Sequence, residues 1–407
     1  MTLRKYVEKI QDASNRKILQ SLSGACRDAY KCALSAGATE HTLRVPLRMR
    51  HHGSLTDEQF VVSCENSVYV TDLEVLMEKF QVRKQPACAT KTYSYPAAFL
   101  GACFGDIAGS AYEGDLMLAQ KNIQYENCIT RDSTPTDDTI LSCATAVVLD
   151  HINSYREFIE NRPPRISDFF QNGTYPFMQN PFADSYKKAI HTSYPHPGFG
   201  GAFYRWATSE EKKPYGSAGN GAAMRVSPIT EMYGNQKEII CLSAMSANAT
   251  HNHYEGVKGA VIAAMMIWMA YQGYSKEQIF QYMLDHYRDA KNALPSVQRF
   301  KVFNMRELRQ KFGYPLSAFT VPAAAICFHE SASYEDVITN VLSFGGDADT
   351  IGAVAGGIAG AYYGVPESAQ ATVMKLNTDA AFREAYKILG RRREGLLDKY
   401  GKNMLKV

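Results

Sequence analysis

No two of the nine cysteines form a Cys-X-X-Cys pair, and their number is odd. Cys26, Cys32, Cys64, Cys88, Cys103, Cys128, Cys143, Cys241 and Cys327 are scattered, several of them inside apolar helical patterns that suit a small hydrophobe. Such spacing argues against zinc sites and a disulfide framework, and points to a reducing, cytoplasmic setting. A strong charge of either sign is also missing. Lys and Arg number 44 against 41 acids, and the net charge of +3 is too small to argue for nucleic acid or a membrane surface as a partner. The longest apolar run, Gly259 to Tyr271, is too short to span a bilayer. Met1 to Lys9 is charged and amphipathic, without the apolar core of a signal peptide.

What is present is a 407-residue chain, 45% hydrophobic and 21% charged, enough for one large domain or two ordinary ones around a substantial core. Helical spacing dominates: Leu3, Val7 and Ile10, then Ile18, Leu22 and Cys26, with Gly37 as a stop. Residues 43–47 and 60–64 read as strand-like or irregular. Thr71-Asp72-Leu73-Glu74 opens a helix through Phe80. Residues 81–96, polar and bracketed by Pro86 and Pro96, read as a linker. From Ala97 onward the pattern is helix after helix, with starts at Ser275 and Ser333, interrupted by a surface excursion at 161–200 rich in Pro, Asn and aromatics. The expected fold is all-α, a compact multi-helix domain at 95–407 behind a mostly helical extension at 1–94.

Two acidic clusters stand where loops become apolar helices. They are Thr136-Asp137-Asp138-Thr139 and Gly345-Gly346-Asp347-Ala348-Asp349-Thr350. Either could be plain helix capping, since short oxygens and acids suit a helix start. A cap needs a single oxygen, however, and each cluster packs several polar groups beside very apolar neighbours. Burying that many carboxylates is costly unless cations pair them. Hard divalent cations prefer such oxygen ligands, and two ions can orient a hydroxyl-rich substrate.

Three further segments carry chemistry. In Gly101-Ala102-Cys103-Phe104-Gly105-Asp106-Ile107-Ala108-Gly109, the glycines at i, i+4 and i+8 form a flat stripe for close helix packing, and Asp106 within it needs a partner if buried. Glu113, where this pattern ends, can project into a cleft. Gly216-Ser217-Ala218-Gly219-Asn220-Gly221 is a glycine-rich loop of the kind that approaches phosphate, though it matches neither a Walker A loop nor a dinucleotide fingerprint. His251 and His253 stand two apart, and one of them suits a polar pocket.

Taken in order, GACFGDIAGSAYEG, PTDDTI, GSAGNGAAMR, THNHYEGVKGA and FGGDADTIGAVAGGIAGAYYG resemble the ADP-ribosylglycohydrolase family, in a form closest to its bacterial members. The resemblance runs from about Ala97 to the C-terminus. It implies an all-helical domain holding two Mg²⁺, or Mn²⁺, in a central cleft. The implied ligands are Thr136, Asp137, Asp138, Asp347, Asp349 and Thr350. Glu113 matches the loop acid over the site, and Glu113, Asp137 and Asp138 are the candidates for proton handling. Gly216, Ser217, Gly219 and Asn220 match the loop around the diphosphate of ADP-ribose, with His251 lining the same cleft. Ala218 departs from relatives that carry an adenine-stacking aromatic there.

The implied activity is removal of ADP-ribose from a modified acceptor, first of all a protein arginine. Serine-, nucleic-acid- and small-molecule-linked ADP-ribose are the alternatives. The resemblance leaves out residues 1–94, whose basic patch is Arg44, Arg48, Arg50, His51 and His52. That extension is either a docked helical layer or an arm that recognises a partner or substrate, and a further alternative makes the protein an immunity-type partner that binds and blocks an ADP-ribosyltransferase through it.

Overall fold

The computed structural model describes residues 13–35, 73–113, 123–151, 180–194, 196–211, 213–287 and 316–391, with scattered positions between 43 and 64. Its described residues form helices and no named strand; an isolated bridge pairs Gly219 with Leu316. The helices are α1 (Ala13–Ser21), α2 (Gly24–Ser35), α3 (Leu73–Phe80), α4 (Ala97–Ser110), α5 (Asp137–His151), α6 (Pro181–Lys188), α7 (Gly201–Thr208) and α8 (Ser227–Met232). They continue as α9 (Gln236–Asn248), α10 (Tyr254–Tyr271), α11 (Lys276–His286), α12 (Ser317–His329), α13 (Tyr334–Phe344), α14 (Ala348–Tyr363) and α15 (Glu367–Leu376). Residues 380–391 are also helical.

The centre of the main core is α14, which packs on α4, α10, α12 and α13. Its contact with α4 is made by glycines from both sides. A β-carbon on Gly105 would stand 2.0 Å from the Gly352 carbonyl oxygen, and one on Gly101 2.2 Å from that of Gly356. With nothing larger than hydrogen between them the two backbones touch, as the stripe in the sequence predicts. This closeness has a functional consequence: Asp106 on α4 is brought against the start of α14.

Several helix starts follow the sequence closely. Ser275 caps α11 in a full capping box with Gln278, and Ser333 caps α13 through the Asp336 amide. Others differ from the reading above. Leu43, Leu47, Phe60 and Cys64 are helical and buried, not strand-like. The β-branched Val45, Val61 and Val62 and Pro46 favour an extended reading locally. Leu43 with Leu47, and Phe60 with Cys64, are instead i, i+4 pairs that close a small separate core with Leu19, Cys26, Tyr30 and Ala33, so burial overrides propensity. Leu3, Val7, Ile10 and Gly37 lie outside the described residues.

Residues 81–91 are docked rather than free. Val82 exchanges hydrogen bonds with the Gln236 side chain, and Cys88 and Lys91 donate backbone bonds to Gly273 and Tyr271. The 161–200 stretch contains a helix, α6, capped by Asn180 and begun by Pro181, whose inner face buries Phe182 and Tyr186 in the core. No disulfide forms among the described cysteines, and most of them are buried. No helix among the described residues is long and apolar enough to cross a membrane.

Candidate active site

Asp106 organises the first acidic cluster. One of its oxygens accepts from the Thr136 and Thr139 backbone amides at 3.0 and 3.1 Å and from the Thr139 hydroxyl at 2.5 Å. The other accepts from the Thr136 hydroxyl at 2.6 Å. A carboxylate offers about four acceptor positions, and four donors converge on this one. Asp106 therefore caps α5 from a different helix and fixes the turn that carries Asp137 and Asp138. Nothing in the local pattern signals these bonds beyond an acid in a glycine stripe, because the donors lie about thirty residues downstream.

Folding brings the two clusters together. One oxygen each of Asp106, Asp138 and Asp349 lies within 4.8 Å of the others, and Glu113, Asp347 and Asp349 form a second such group. Asp349 belongs to both. Thr350 directs its hydroxyl at Asp138 at 3.4 Å, and the Thr136 hydroxyl oxygen, whose shorter bond is to Asp106, lies 3.3 Å from the same Asp138 oxygen. Asp137 is half-buried in the same turn, and its Oδ1 lies 3.3 Å from where a β-carbon on Gly198 would stand. Gly198, with a φ of 76°, brings the 196–200 segment against the cluster. That contact is invisible in a stretch that reads as a surface loop.

The electrostatics follow from this crowding. Burial, then the charges of neighbouring acids, holds the carboxyls of Asp137, Asp138 and Asp349 well above the usual range. Glu113, exposed at the end of α4, is raised by partial desolvation and by Asp347 and Asp106. Asp138 Oδ1 is buried with no hydrogen-bond partner among the described residues. An orphaned carboxylate oxygen inside an all-oxygen donor set, with no sulfur or imidazole in either group, fits hard divalent cations.

The glycine loop meets this cluster at one residue. The Asn220 amide donates to Asp347 and, at 2.9 Å, to Thr320. Gly216 has a φ of 72°, Ser217 Oγ accepts from the Gly219 amide, and the start of α12 holds the loop through Ser317 bonds to Ala218 and Gly219. His251 lies at the loop's base, its ring 3.1 Å from the β-carbon position of Gly221. His253 turns away as the N-cap of α10. The two acidic clusters, Glu113 and Asn220 are thus brought together, with His251 at the base of the loop, and Asn220 supports an acid as well as ending the loop.

A family model described as ADP-ribosylglycohydrolase matches residues 91–397. The chain is similar to ADP-ribosylhydrolase ARH3 of Mus musculus, 34% identical over 194 residues, which cover 38% of this chain and 52% of the relative. The Homo sapiens protein of the same name is 31% identical over 194 residues, or 38% and 53% of the two chains. The Xenopus tropicalis one is 26% identical over 316 residues, covering 66% and 87%. The matched stretch thus spans about half the length of the mouse and human relatives.

Proposed function

The chain belongs to the ADP-ribosylglycohydrolase family, and from that premise we propose that it is a cytoplasmic, metal-dependent hydrolase releasing ADP-ribose from a modified acceptor, first of all a protein arginine. The observation that carries this reading is the pair of carboxylate groups sharing Asp349, with Asp138 Oδ1 left without a partner. Two Mg²⁺ or Mn²⁺ would be held by Asp138, Asp347 and Asp349, with Thr136, Thr350 and Asp137 at the edges. Bound there, they would supply fixed contacts to ribose hydroxyls and a more acidic water.

The chain's own residues do the rest. Asp106 and Asn220 hold the acids in place. Glu113, its carboxyl raised by desolvation and by its acid neighbours, is suited to pass a proton to the departing acceptor, and Asp137 or Asp138 to take one from water. Spare negative charge around the cleft stabilises an oxocarbenium-like centre at the ribose carbon. With Glu113 protonated as the donor, Asp106, Asp137, Asp138, Asp347 and Asp349 still carry more negative charge than two divalent ions cancel, and the surplus favours a cationic guanidinium as acceptor. The loop Gly216–Asn220 and His251 hold the diphosphate.

Serine-linked ADP-ribose and ADP-ribosylated nucleic acid are the competing substrates. Residues 1–94, almost all outside the family match, are the part suited to recognise a protein, whether the modified substrate or a transferase. Incubation with arginine-, serine- and nucleic-acid-linked ADP-ribose in parallel, with and without chelator, tests the whole reading. Release of free ADP-ribose from the arginine conjugate, lost on chelation and restored by Mg²⁺ or Mn²⁺, is the expected result. Release that survives chelation removes the metal role, and release from another conjugate alone removes arginine.

A further inference from the structure

Behind the glycine loop runs a chain of hydrogen bonds that neither the carboxylate groups nor the proton-handling acids use. It begins at Arg225, which is fully buried and stacked on the Tyr186 ring at 3.9 Å. Nη2 donates to the Ser246 carbonyl at 2.9 Å and to Thr250 Oγ1 at 2.8 Å. Nε and Nη1 have no hydrogen-bond partner among the described residues, and no described carboxylate pairs with the guanidinium. A permanently charged group buried this way is costly, and plain packing would be served as well by an apolar side chain.

The next link is Thr250 Oγ1, 2.7 Å from His251 Nδ1. A hydroxyl has one proton and two lone pairs. Arg225 can only donate, so it takes a lone pair. Arg225 and His251 are the hydroxyl's partners among the described residues, which sends its proton to Nδ1. The arginine's charge polarises the hydroxyl in the same sense. An imidazole accepting at Nδ1 carries its own proton on Nε2. Burial and the Arg225 charge both disfavour a second proton on this ring. Nε2 and the adjoining Cε1 both lie 3.1 Å from the β-carbon position of Gly221, so this edge of the ring faces the base of the glycine loop, and Tyr215 packs edge-on against the ring at 5.7 Å.

We propose that Arg225 and Thr250 are positioning residues that lock His251 as a neutral Nε2–H donor aimed at the diphosphate of ADP-ribose. The aim at diphosphate rests on the reading of the Gly216–Asn220 loop given above; the lock itself rests on the hydrogen bonds. In the opposite tautomer a lone pair would face the phosphate oxygens, and the site would repel what it has to hold. A neutral donor backed by a buried cation gives directional contact, while the cation adds attraction from behind the ring.

The test uses the full chain labelled with ¹⁵N-histidine, with His251→Asn identifying the His251 signals, and titration calorimetry with ADP-ribose. Wild type should show the Nε2–H tautomer at His251. Thr250→Val, equal in shape but without the hydroxyl, should lose that single-tautomer signature and weaken ADP-ribose binding roughly five- to tenfold. Thr250→Ser should restore both, which a merely structural role of the methyl group would not permit. A wild-type Nδ1–H tautomer or imidazolium overturns the lock, as does a Thr250→Val protein with unchanged spectrum and affinity. Should Thr250→Val fail to fold, the wild-type spectrum and the Thr250→Ser protein still decide. A wild-type chain with the Nε2–H tautomer that binds no ADP-ribose keeps the lock and overturns the diphosphate reading.

Discussion

Gly109 couples the fold to the site through backbone contact with the start of α14. A β-carbon there would stand 2.3 Å from the Ala348 carbonyl carbon and oxygen and from the Asp349 amide nitrogen, where ordinary contact begins near 3.4 Å. Gly109→Ala therefore requires about 1 Å of separation between α4 and the first turn of α14. The obstructing atoms are backbone, so no side chain can rotate to absorb the strain. Overpacking of this kind costs about 1–3 kcal/mol, and rigid backbone obstruction belongs at the upper end. The gain in helix propensity returns about 1 kcal/mol, leaving a net loss of about 2 kcal/mol.

The displaced turn carries Asp349, the acid common to both carboxylate groups, so divalent-cation affinity should fall as well, roughly tenfold or more. Denaturant unfolding and a calorimetric Mg²⁺ or Mn²⁺ titration measure the two effects on one protein. Gly390→Ala is the control: it also lies in a helix of the main core, and nothing approaches its β-carbon position within 4 Å. It should be neutral or slightly stabilising. A Gly109→Ala protein as stable as wild type would refute the packing argument. One that is less stable but binds cations normally would refute the link to the site.

Asp349→Asn should abolish cation binding and turnover, and Thr136→Val should cost less because it removes a neutral dipole; full activity in an Asp137→Ala, Asp349→Ala protein would end the metal reading. Glu113→Gln should lower kcat by roughly a hundredfold while ADP-ribose affinity and metal content stay nearly unchanged, and an equal loss of binding would make Glu113 a ground-state contact instead. Burial holds the His253 imidazole down at about 4. The folded form then binds fewer protons than the unfolded one below about pH 6.5, so stability is full above that pH and falls by about 3 kcal/mol as pH drops to 4. His253→Asn, which keeps a good N-cap for α10, should flatten that slope in melts from pH 7 to 4, and an unaltered slope excludes the histidine as its source. A chain starting at residue 71 keeps α3 and the docked 81–91 segment and should melt close to the full chain, whereas one starting at Thr92 should be clearly less stable; equal melting of the two would show that the docking contributes nothing.

Much of the site was legible because its acids sit in short, contiguous clusters at helix starts, where a local pattern is the whole signal. The glycine stripe was legible for the same reason, since a helix repeats its face every three to four residues. What stayed hidden depends on partners distant in the chain. Gly198 looks like any turn glycine until the fold lays it beside Asp137. Arg225 looks like the end of a motif until Thr250 and His251 arrive beneath it.

The two meanings that the clusters carried in the sequence, helix capping and cation binding, separate once the donors are counted. Capping of α5 is done by Asp106, reaching across from α4 to the Thr136 and Thr139 amides. At α14, Asp347 occupies the N-cap position, yet its side chain makes no capping bond and accepts from Asn220 instead. The Asp138 Oδ1 atom caps nothing and has no partner among the described residues. Helix capping therefore cannot account for Asp137, Asp138, Asp347 and Asp349 together. These four are raised or crowded acids gathered where a fold without cations would gain stability by losing them, since each buried carboxylate lacking a counter-charge costs several kcal/mol in principle. Replacing Asp138 by Asn should on this reasoning stabilise the metal-free protein while ending its response to divalent cations. A lower melting temperature in chelator for Asp138→Asn would mean that the acid supports the fold itself.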